Sequence, residues 1–102
     1  MDQDRMIEIG TTGGCGLVAL EVLRLRPDGI PVLWYDADGN AIHAAVKIGR
    51  LLVHLGTREA GYTEVSDSEL RRAVKEDFDS DRPRATRTEI KEIARMIVSD
   101  LE

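Results

Sequence analysis

Ile42-His43-Ala44-Ala45-Val46-Lys47-Ile48-Gly49-Arg50-Leu51-Leu52-Val53-His54-Leu55 is the stretch that decides the fold of this 102-residue chain. Two short apolar runs, 42–47 and 50–55, flank a single glycine. Read as strands joined at Ile48-Gly49, they predict a tight antiparallel hairpin. A crossover helix at this place would instead give a parallel α/β sheet.

Working upstream, residues 30–35 read as a strand with Pro31 near its start, where a missing N–H is tolerated. Asp36-Ala37-Asp38-Gly39-Asn40 is a turn cluster. Before them, Leu17, Val18, Ala19, Leu20, Val22, Leu23 and Leu25 form a nearly all-apolar helix, with Glu21 and Arg24 as its exposed points. Pro27 ends it and Asp28-Gly29 turns the chain. Downstream, Ser66-Asp67-Ser68-Glu69 is a capping box that opens a second helix over 67–78. Thr86-Arg87-Thr88-Glu89 opens a third, in which Ile90, Ile93, Ala94, Ile97 and Leu101 recur at helical spacing. The fold class is therefore α+β: an N-terminal Cys-bearing helix packed on a small antiparallel sheet of about three strands, with two C-terminal helices. One domain over 1–102 is expected, with a core at 10–56 and a helical part at 66–102.

Composition narrows the function. The net charge is −5 and aromatic residues make up 4% of the chain, which argues against a basic, base-stacking nucleic-acid surface. Arg82, Arg84 and Arg87 lie beside the acidic run Glu76-Asp77-Phe78-Asp79 and read as solvated charge. A single cysteine excludes an intramolecular disulfide. A charged start with no apolar stretch after it, and no run long enough to span a bilayer, predict a soluble, cytoplasmic protein with no membrane contact.

That cysteine lies in Thr11-Thr12-Gly13-Gly14-Cys15-Gly16, directly before the apolar helix. At a helix N-terminus, backbone N–H groups and the helix dipole favour a thiolate, and flanking glycines let a substrate approach. A cysteine nucleophile needs a partner, commonly histidine. If Lys47 pairs with Arg50, His43 falls opposite His54 on one face of the hairpin. A Cys15–His43–His54 set then follows, with His43 as base and His54 orienting it.

Gly14-Cys15-Gly16 with Ala19-Leu20, Trp34-Tyr35-Asp36, Asp38-Gly39, His43-Ala44-Ala45-Val46 and Gly49-Arg50-Leu51-Leu52 together resemble minimal papain-like cysteine hydrolases. That superfamily includes NlpC/P60 and transglutaminase-like enzymes. The resemblance covers about half the chain, 10–56. It implies Cys15 as nucleophile and His43 as base, with the third member on the next strand. The chain departs from the pattern there: small relatives often carry Leu-Asp after the glycine turn, where this chain has Leu52-Val53, and His54 stands one residue later. The glutamine that many relatives place before the cysteine is also not recognisable. Thr11, Thr12 and Gly14, with the Cys15 N–H, are the expected oxyanion and support groups.

The expected activity is cysteine-dependent hydrolysis or acyl transfer at an amide, peptide or isopeptide bond. It would run through a Cys15 thioester with no cofactor, and with a peptide or protein as substrate. Three alternatives stay open. Gly10, Gly13 and Gly16 follow a strand-like run at 6–9, and Asp36 ends the next strand about 20 residues on, as in a dinucleotide-binding fingerprint. Cys15, His43 and His54 offer three zinc ligands without a recognised ligand spacing. A non-catalytic, protein-binding inhibitor or adaptor on the same fold, of the small acidic kind found in phage, needs only a partner surface, and oligomerisation is compatible with it.

Overall fold

The computed structural model describes residues 4–5, 8–9, 14–53, 60–78 and 86–101. Helix α1 (Cys15–Leu25) leads into strands β1 (Ile30–Tyr35), β2 (Ala41–Ile48), β3 (Leu51–Val53) and β4 (Thr63–Glu64). Helices α2 (Asp67–Glu76) and α3 (Arg87–Ser99) follow. The strands form one sheet in the order β3-β2-β1-β4, with every pair antiparallel. The α+β architecture is as expected, with four strands rather than about three.

The hairpin between β2 and β3 forms, but one residue further along than its sequence suggests. Ile48 pairs with Leu51, Lys47 with Leu52 and Val46 with Val53, so Gly49 and Arg50 are the turn. Gly49 has φ +61, and no residue other than glycine has positive φ among the described residues. Positive φ at the first central position alone is the type II′ pattern, which glycine at that position permits and which matches the twist of the flanking strands. The Lys47–Arg50 pair is therefore not made. The expected pairing of His43 with His54 rested on it, and His54 itself lies outside the described residues.

Helix ends follow their caps. The Ser66 Oγ accepts from the Glu69 N–H at 3.1 Å at the start of α2. Thr86 and Glu89 form a reciprocal capping box on α3. The Glu89 carboxylate also accepts from the Arg5 guanidinium at 2.8 and 3.2 Å, and this pairing pulls its pKa down to about 2. Asp4, Arg5, Glu8 and Ile9 are helical, so the strand-like reading of 6–9 is not realised at Glu8 and Ile9. An Arg5–Glu8 ion pair three residues apart fits a helical turn.

Burial separates the two sides of the sheet. Directly paired residues share a face and successive residues alternate. Leu33, Ala44 and Val46 face α1 and join it, with Leu70, Ala73, Ile90, Ile93 and Ala94, in the main hydrophobic cluster. Val32, Trp34 and Ala45 form a second cluster on the far side, with Leu52 and Tyr62 packed against it. Both faces of β2 are covered, which explains its nearly unbroken apolar sequence.

Candidate functional site

Cys15 is the first residue of α1. Its N-cap, Gly14, offers no side chain to the helix start and has φ −78. The Gly14 N–H donates to the Ile9 carbonyl at 2.9 Å. This expected support group is therefore already engaged within the protein. Thr11 and Thr12, as well as Gly10 and Gly13, lie outside the described residues.

The glycines beside Cys15 are explained by packing. A Cβ on Gly14 would stand 2.5 Å from both Ile9 Cγ2 and the Ile9 carbonyl oxygen. A Cβ on Gly16 would stand 2.7 Å from Val74 Cγ2 and 2.8 Å from Phe78 Cδ2. Real Cβ atoms do not approach so closely, so each glycine marks a place where another element presses against α1. Gly16 in particular faces α2 and Phe78 rather than space for a pyrophosphate. The dinucleotide fingerprint also lacks its second half: β1 continues through a turn into an antiparallel partner, not into a crossover helix.

The Cys15 side chain is buried, with 4% of its surface exposed. It lines a small apolar cavity of about 10 Å³ with Val18, Ala19, Val22, Ala44, Ala45 and Val53. That is close to the least space that holds one water molecule, and far below the several hundred Å³ of a small-molecule site. Burial in this apolar setting pushes the thiol pKa up, while backbone N–H groups of Ala44, Gly16 and Cys15 itself pull the other way without offsetting it. The helix N-terminus thus acts as sequence reasoning expects, but desolvation outweighs it.

His43 is in β2 and pairs directly with Trp34 of β1. It therefore shares the far face of the sheet with Trp34, while its neighbour Ala44 joins Cys15 in the main cluster. The imidazole lies against the indole, with ring centroids 5.0 Å apart and planes tilted by 49°. Tyr62 meets the same indole edge-on at 5.8 Å. The Trp34 Nε1–H donates to the Ala60 carbonyl at 2.8 Å, which ties the segment at Ala60–Tyr62 over this face. The structure thus does not bring Cys15 and His43 together: the sheet stands between them. The reason is register. Trp34 and His43 pair just before a bulge that leaves Ile42 as the extra residue of β2, and alternation sends His43 away from α1.

The alternative zinc set loses its geometry for the same reason, since Cys15 and His43 lie on opposite sides of the sheet. Among the described residues, no group of three or more His, Cys, Asp or Glu side chains is placed to hold a metal. No helix among them is long and apolar enough to cross a membrane.

A polar hub that sequence reasoning missed lies where α2 meets β1 and β2. The Arg72 guanidinium donates to Glu69 at 2.7 Å, Glu76 at 2.8 Å and Asp77 at 3.3 Å. The Tyr35 hydroxyl donates to Glu69 at 3.3 Å, and the Asp77 carboxylate accepts the Ala41 backbone N–H at 2.8 Å. Asp77 thereby secures the backbone next to the β2 bulge. The spacing of Glu69, Arg72 and Glu76 on one helix face signals part of this hub, while the link from Asp77 to Ala41 has no sequence signature. No protein-family model, curated protein or solved structure shows significant similarity to the chain.

Proposed function

We propose that this chain is a non-catalytic protein-binding domain. The observation that carries the reading is the placement of Cys15 and His43 on opposite sides of one sheet. A thiol that is buried, held neutral and separated from His43 by the sheet serves packing, as small buried cysteines commonly do. Recognition then falls to the surface. The β2 bulge turns Ile42 outward with 43% of its surface exposed, and bulges commonly re-aim a side chain in this way. Ile42 is one of the large hydrophobic side chains left exposed, with Leu51, Ile30 and Met96, and we assign it as the apolar contact that a protein partner would cover.

Alkylation of Cys15 by iodoacetamide as a function of pH tests the reading. The expected result is slow labelling at neutral pH, a thiol that ionises above the ordinary cysteine range, and no change on His43→Ala. A thiolate present at neutral pH and lost on His43→Ala would overturn it in favour of thioester chemistry at Cys15. The binding surface has its own test. A protein held by the immobilised wild-type chain and released by Ile42→Arg, with thermal stability unaltered, supports Ile42 as the contact; retention by both chains removes it.

A further inference from the structure

We draw no further inference here: the strongest candidate, the Trp34–His43–Tyr62 side-chain cluster on the sheet face away from α1, carries nothing because beyond Ala60 and Tyr62 nothing among the described residues shows what covers that face.

Discussion

The two faces of the sheet are built on different terms. The face toward α1 is mainly aliphatic, with Leu33, Leu70, Ile93 and Val46 almost wholly enclosed; α1 and α2 pack on the sheet and α3 packs on α1. The far face is small and aromatic, and a hydrogen bond from one indole to a chain segment holds part of its cover. Adjacent residues on one strand therefore experience different environments. Leu33 is held by volume, whereas Trp34 is held by ring contacts and a directional bond. The difference shows how a five-residue run, Ile42 to Val46, supplies both a wall for helices and a seat for an aromatic cluster.

Removing volume from the helix side gives the largest expected effect. Leu33→Ala should cost about 2–5 kcal/mol, measured by denaturant unfolding, because Leu33 is wholly buried on the strand against which α1 and α2 pack. A loss below about 1 kcal/mol would mean that this face tolerates collapse and that the two sides are less different than their packing implies. Gly16→Ala comes next. Overpacking against Val74 and Phe78 costs about 1–3 kcal/mol, offset by up to about 1 kcal/mol of helix propensity. Net destabilisation is expected, and a stabilised variant would show that α2 yields easily. On the far face, Trp34→Phe keeps a ring but removes the donor to Ala60. About 1 kcal/mol should be lost, and hydrogen exchange should increase at Gly61 and Tyr62 while α1 stays protected.

The smallest effects are those of pH, and they concern the helix side. Burial raises the Cys15 pKa in the folded state. The folded chain then retains a proton that the unfolded chain releases, so this contribution is full below the unfolded thiol pKa and fades as pH rises through the alkaline range. Cys15→Ala should flatten that alkaline decline. Glu89 runs the opposite way. Its folded pKa is lowered from 4.5 to about 2, so its contribution is present above about pH 4.5 and is lost as pH falls toward about 2. Acid unfolding of Glu89→Gln should lack that step, and an unchanged acid profile would show that the Arg5–Glu89 pair contributes nothing in solution.

The architecture was largely legible in the sequence because its signals are local. Apolar spacing and two capping boxes mark α1, α2 and α3, and Pro27 with Asp28-Gly29 marks the end of α1. Strand β4 leaves no mark in the sequence because only Thr63 and Glu64 pair, too few for any alternation to show. Residues 6–9 resemble a strand because Met6, Ile7 and Ile9 are apolar. At Glu8 and Ile9 helical geometry wins, with the Arg5–Glu8 pair on one side and the Ile9 carbonyl accepting from Gly14. The site was legible only as a set of residue types. His43-Ala44-Ala45-Val46 is buried on both sides, so its sequence has no polar–apolar alternation to say which residues face α1. With that parity unmarked, His43 fits either face on paper, and pairing with Trp34 decides the matter.

Trp34 is the only tryptophan in the chain and Cys15 the only cysteine, and one sheet separates them. The molecule thus carries two intrinsic reporters that view opposite halves of it. Indole fluorescence follows the aromatic side, and thiol labelling follows the aliphatic side. Coincident denaturation curves from the two would establish that the halves melt as a single cooperative unit. A curve in which indole emission shifts first would identify the Ala60–Tyr62 cover as a separately opening segment.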